Sequence, residues 1–185
     1  SAALFLLCLW SLLGEGRGSK GTKGGGFLLF LLCSGMLLPA STSRASGLAD
    51  YRKGDFAGAL KDFERRLENG STASEIRFDA GAAAYKAGDF KKSAGYFSEA
   101  MISPDRKIRD AATYNLANSL VRSGEAAQGD EEKLSDWKNA LQHYDSVLKA
   151  DPKNLRAKEN RAIVLKLIDD LKKQQDRKKN DRDQK

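Results

Sequence analysis

His143 is the single histidine in a chain of 185 residues, and Cys8 and Cys33 are its two cysteines. A general base needs a second group to orient it and a cleft to work in. In "LQHYDS" His143 sits beside Tyr144 on a helical pattern with no such partner in sequence, so it reads as helix surface. Both cysteines lie inside leucine-rich runs, where they read as small apolar residues rather than as thiolate ligands. The glycine-rich, basic stretch "GSKGTKGGG" lacks the G-x-x-x-x-G-K-[ST] spacing of a phosphate loop. G-x-S-x-G is absent as well. These residues point to no catalytic group, no metal, no cofactor and no small-molecule substrate, and therefore to a protein that is not an enzyme.

The elements carry a different message. Residues 51–63, "YRKGDFAGALKDF", and residues 85–97, "YKAGDFKKSAGYF", share a tyrosine, a Gly-Asp-Phe and a final phenylalanine at the same offsets. One shift of 34 residues relates Gly54 to Gly88, and likewise Gly47 to Gly81, Phe56 to Phe90, Ala59 to Ser93 and Phe63 to Phe97. Each unit reads as two helices. Gly88 is the expected C-terminal cap of the first and Asp89 the N-cap of the second. Phe90, Ala94, Phe97 and Met101 follow at spacings of 4, 3 and 4, one face of a helix. Gly81 is small where the two helices cross.

A third unit is interrupted. "ATYNLANSLVRSG", residues 112–124, has the first-helix pattern with Ala117 at the small position and Gly124 where the turn glycine belongs. "WKNALQHYDSVLKADPKN", residues 137–154, has the second, with Trp137 matching Phe90, Ala140 matching Ser93 and Tyr144 matching Phe97. Between them residues 125–135 form an insertion of 11 residues, expected as a surface loop. Residues 155–175 read as one more first helix, a solvated cap with Ala162 at its small position.

With that register in place, residues 47–169 resemble tetratricopeptide repeat domains, which implies an all-α solenoid of helical hairpins. In that family the first helix of each pair lines a concave groove that binds protein partners. By position the groove would hold Phe78, Asp79, Ala82, Tyr85 and Lys86 from the second unit, and Tyr114, Asn115, Asn118, Val121 and Arg122 from the third. Glu159, Asn160 and Ile163 would come from the cap. Asn115 and Asn118 are three apart and share a helix face. Asparagines there can bond a peptide backbone or carboxylate, and the chaperone-binding members use such a pair in a carboxylate clamp. This chain lacks the full set of lysines and arginine that the clamp needs. Asn115 and Asn160 can equally bridge neighbouring helices. More particularly, "YNLANSLVRSG", "DWKNALQHYDSVLKADPKNLRAKENRAIV" and the Lys/Gln/Asp-rich end resemble the repeat proteins of bacterial aerotolerance (Bat-type) operons. That resemblance implies von Willebrand A proteins and a MoxR-type ATPase as partners. Some members fuse a von Willebrand A domain, a membrane hairpin and the repeats in one chain. No Asp-x-Ser-x-Ser motif occurs here, so no metal site of that domain carries over.

The ends differ from the body. The net charge of +7 comes mostly from residues 1–46, with four basic residues against one acid, and residues 170–185, with seven against four. A nearly neutral body argues against nucleic acid, whose binding surface belongs on the folded part. The pI near 9.4 is thus a property of the termini. Residues 2–13, "AALFLLCLWSLL", and 27–39, "FLLFLLCSGMLLP", are each shorter than the roughly 20 apolar residues of a membrane span. The first begins with no initiator methionine, as the tail of a longer span would. The second reads either as a signal core, with "SRA" at residues 43–45 as its cleavage site, or as a short span that makes a membrane hairpin with the first. A lipoprotein role for Cys33 is disfavoured by Leu32 before it. Either way the basic loop at residues 14–26 stays inside and the body is exported.

The expected organisation is therefore a membrane hairpin or signal region at 1–46 (spans 1–13 and 27–40), a repeat domain at 47–172 and a charged, disordered tail at 173–185. The expected function is an exported, membrane-associated scaffold in the bacterial inner membrane with its repeats in the periplasm, anchored through residues 1–40 and binding protein partners. The alternative is a self-associating structural subunit of an envelope assembly.

Overall fold

The computed structural model describes residues 41–184. Among these the regular elements are seven α-helices: α1 Ser41–Lys53, α2 Phe56–Glu68, α3 Ser74–Ala87, α4 Phe90–Ala100, α5 Arg106–Ala126, α6 Asp130–Ala150 and α7 Leu155–Asp183. Each helix packs on the next in sequence, and in addition α3 touches α5 and α5 touches α7. The first helices of successive pairs thus form one layer, and α2, α4 and α6 form the other. The two leucine-rich runs lie outside the described residues. No described helix is long and apolar enough to cross a membrane.

The Gly-Asp-Phe turns explain the pairing. Gly54 and Gly88 take φ of 86° and 85°, the left-handed region that side-chain-bearing residues avoid. Each glycine lets the chain leave one helix and start the next within two residues. Asp55 then accepts from the Gly58 amide at 2.8 Å and Asp89 from the Lys92 amide at 3.1 Å, satisfying donors that the new helix cannot use itself. The tyrosine before each turn closes edge-on against the phenylalanine after it, Tyr51 on Phe56 at 5.1 Å and Tyr85 on Phe90 at 5.4 Å.

Small residues set the crossings. A Cβ built on Gly81 would lie 3.0 Å from the Phe97 ring, and one on Gly47 would lie 2.8 Å from Phe63. Phe63 and Phe97 are buried at these crossings, and Ala117 with Tyr144 repeats the arrangement in the third pair. Between the second and third pairs the buried hydroxyls of Ser93 and Ser119 stand 2.8 Å apart. Ser93 also reaches the Gly81 carbonyl at 2.9 Å, and Ser119 the Asn115 carbonyl at 2.9 Å. Two hydroxyl protons serve these three contacts, so one contact is always without its proton.

Three expectations are corrected. The 125–135 insertion is not a loop. It lengthens both helices, so that α5 runs to Ala126 and α6 starts at Asp130, each with 21 residues. Alanine, glutamate, lysine and leucine are strong helix formers, and Asp130, Glu131 and Glu132 complement the dipole at the start of α6. Gly124 is accordingly no turn residue. It lies inside α5 under the Trp137 indole, where a Cβ would come within 2.6 Å of Nε1. Ala162 is not at a crossing either. It is exposed, on the face of α7 opposite the buried Val164, Ile168 and Leu171, because among the described residues no second helix follows α7 to cover it. The tail, finally, is helical as far as Asp183. No Gly or Pro follows Pro152 to stop it, and Lys173 pairs with Asp169 at 2.6 Å one turn away.

Candidate functional site

The layer of first helices carries a groove made of two adjoining hollows. The first, about 270 Å³, is lined by Tyr51, Phe78, Ala82, Tyr85, Lys86, Phe97, Asn115 and Asn118. The second, about 170 Å³, is lined by Tyr85, Asn118, Val121, Arg122, Tyr144, Asn160 and Ile163. Tyr85 and Asn118 line both, so the hollows adjoin.

Repeat geometry places these side chains. Phe78 stands edge-on to Phe97 at 5.3 Å, and Tyr114 to Tyr144 at 6.1 Å, so each aromatic of a first helix rests on the second helix of its own pair. Arg122 is held over the Phe90 ring at 5.0 Å and reaches Glu125 at 2.9 Å. Its guanidinium therefore stands at the rim, beside Tyr85. Burial raises the Tyr85 hydroxyl above the ordinary phenol value, with the positive charge of Arg122 opposing. Burial raises Tyr144 as well. Both phenols keep their protons at neutral pH and can donate.

The asparagines separate into two roles. Tyr144 donates to Asn118 Oδ1 at 2.6 Å, and Asn160 Nδ2 donates to the same oxygen at 3.0 Å and to the Tyr114 hydroxyl at 3.1 Å. These bonds tie α5, α6 and α7 together, the bridging role expected of Asn160 but with Asn118 in the place expected of Asn115, and they use both amide hydrogens of Asn160. They also fix orientation. Asn118 turns its Nδ2 away from the network and Asn160 its Oδ1, one donor and one acceptor. Asn115 makes no side-chain bond among the described residues, so its whole amide is available in the groove. A donor, an acceptor and a free amide suit a peptide main chain, which carries the same two groups at every residue.

Of the residues expected from sequence, the structure brings Phe78, Ala82, Tyr85, Lys86, Asn115, Asn118, Val121, Arg122, Asn160 and Ile163 to the groove. Three stand apart from its lining. Asp79 acts on the Tyr51 hydroxyl, whose pKa is raised first by burial and then by that negative charge. Tyr114 is turned onto Tyr144 and Asn160, and Glu159 is exposed. Tyr51 belongs to the lining and was not anticipated; its 34-residue shift onto Tyr85 is the signal that identifies it. Among the described residues no three His, Cys, Asp or Glu side chains gather to hold a metal ion.

Residues 44–107 match the family model described as Tetratricopeptide repeat. Heat shock protein STI1 of Saccharomyces cerevisiae is 27% identical over an alignment 142 long that covers 63% of this chain and 23% of that protein. This chain thus spans less than a quarter of the length of the curated relative it matches. Over residues 44–107 the expected resemblance to tetratricopeptide repeats is borne out, and the same pairing of helices continues through α5 and α6.

Proposed function

We propose that the chain is a protein-binding scaffold that holds an extended segment of a partner in the groove of its first helices and performs no chemistry itself. The observation that carries this reading is the pair of adjoining hollows from Tyr51 to Ile163, with the whole amide of Asn115, the donor of Asn118 and the acceptor of Asn160 unspent beside the cations Lys86 and Arg122. We further propose that the scaffold is exported and membrane-associated, in the bacterial inner membrane with its repeats in the periplasm. The leucine-rich runs and the basic loop between them support the anchor. The likeness of residues 114–124 and 136–164 to Bat-type repeat proteins supports an envelope complex with von Willebrand A proteins and a MoxR-type ATPase.

Asn118 and Asn160 hold the fold together, so the test uses residues that do not. The double variant Asn115→Ala, Lys86→Ala in the full chain should capture its envelope partner at a fraction of the wild-type yield, with far-ultraviolet circular dichroism unchanged. Equal capture by folded variant and wild type would place binding elsewhere. A second reading, self-association, is favoured by Ile163 and Leu165 on α7, which are 55% and 44% exposed. Sedimentation of the full chain separates the two, since only self-association makes the mass rise with concentration.

A further inference from the structure

A cleft of about 680 Å³ opens between the first turns of α5, the last turns of α6 and the turn into α7. It exceeds either hollow of the groove. We propose that it is a second binding site, for a peptide segment of a partner protein that presents a large apolar side chain flanked by carboxylates.

Its walls are apolar at Met101, Val147 and Ala150, and Arg106, Arg109 and Arg156 line it. The charge is not neutralised from within. Arg106 pairs with Asp110 at 3.2 Å, but Arg109 donates only to the Ser103 carbonyl at 2.9 Å. Arg156 makes no hydrogen bond or ion pair among the described residues. The other carboxylate of the cleft, Asp151, accepts from the Lys153 amide at 3.1 Å. Two guanidiniums thus stand without a carboxylate, and the planar fork of each fits one with two parallel bonds.

A small anion held by one guanidinium would leave the apolar walls at Met101, Val147 and Ala150 in water. A peptide can cover those walls with a large apolar side chain while its carboxylates meet Arg109 and Arg156. The cleft and the groove share no lining residue.

His143 lines the cleft and is the only histidine in the chain, so its imidazole signal reports on this site alone. The experiment titrates the full chain, with histidine isotopically labelled, with the end-blocked peptide acetyl-Asp-Glu-Leu-Phe-Asp-Glu-amide and with its Asn/Gln counterpart. The acidic peptide should shift the His143 signal and bind about tenfold tighter than the amide form. Arg109→Gln with Arg156→Gln should remove that advantage, and Met101→Ser should weaken both peptides. Asn115→Ala with Lys86→Ala in the groove should change nothing. Arg156→Gln alone decides the matter if the double variant fails to fold, since Arg156 is exposed and makes no bond among the described residues. An unmoved His143 signal, equal affinity for the two peptides, or loss of binding in the groove variant would overturn the proposal.

Discussion

Gly88 shows how one residue type decides a local structure. Its φ of 85° lets α3 end and α4 begin within two residues, and nothing crowds the place where a Cβ would go. The cost of a side chain there is therefore conformational alone. Gly88→Ala should lower the unfolding free energy by about 1–2 kcal/mol, read from a urea midpoint, and Gly54→Ala should cost the same. Unequal losses would mean that the two turns are not copies in energy as they are in sequence. His143 supplies a second residue-scale test. Burial holds its imidazole pKa below the ordinary 6.5. As pH falls, the unfolded chain takes up this proton before the folded one does, so the histidine's contribution is whole above 6.5 and is lost as pH drops through its folded value. The stability difference between wild type and His143→Gln should shrink from pH 7.5 towards pH 5. Parallel curves over that range would contradict the assignment.

At the scale of elements, the part legible in sequence was the part written twice. Tyr51 and Tyr85, Gly54 and Gly88, Phe63 and Phe97 fix a register, and the register places the helices, their caps and most of the groove. The third pair was harder because its interruption has no copy to compare with. Residues 125–135 look like a loop if acidic and alanine-rich composition is taken alone, yet only Ala127, Gln128 and Gly129 lie outside the two helices, so the hairpin grows longer instead. A bridging role for Asn160 was open from sequence, but that Asn118 is its partner was hidden, because the bond joins residues 42 apart. The tail of α7 is the opposite case. It is helical without being packed: its last buried residue is Leu171, and Gln175 makes a single bond of 3.3 Å to Asp130. Lys179→Pro should therefore leave thermal unfolding nearly unchanged, whereas Ile168→Pro should cost about 3 kcal/mol or more. A large effect at Lys179 would show that the exposed end is docked on something.

On the scale of the whole molecule, the 34-residue repeat turns three short hairpins and a final helix into one surface. No single pair makes the groove. Tyr51 comes from α1, Tyr85 from α3, Asn118 from α5 and Asn160 from α7, and the hollow exists because successive first helices lie side by side. Its apolar floor and open amides are the features through which the scaffold is proposed to act. The most direct test is photo-crosslinking in the full chain, with benzoylphenylalanine placed at Asn115 in the groove or at Gln142, exposed on α6. An adduct with the envelope partner is expected from position 115 and none from position 142. An adduct from position 142 with none from position 115 would contradict binding in the groove.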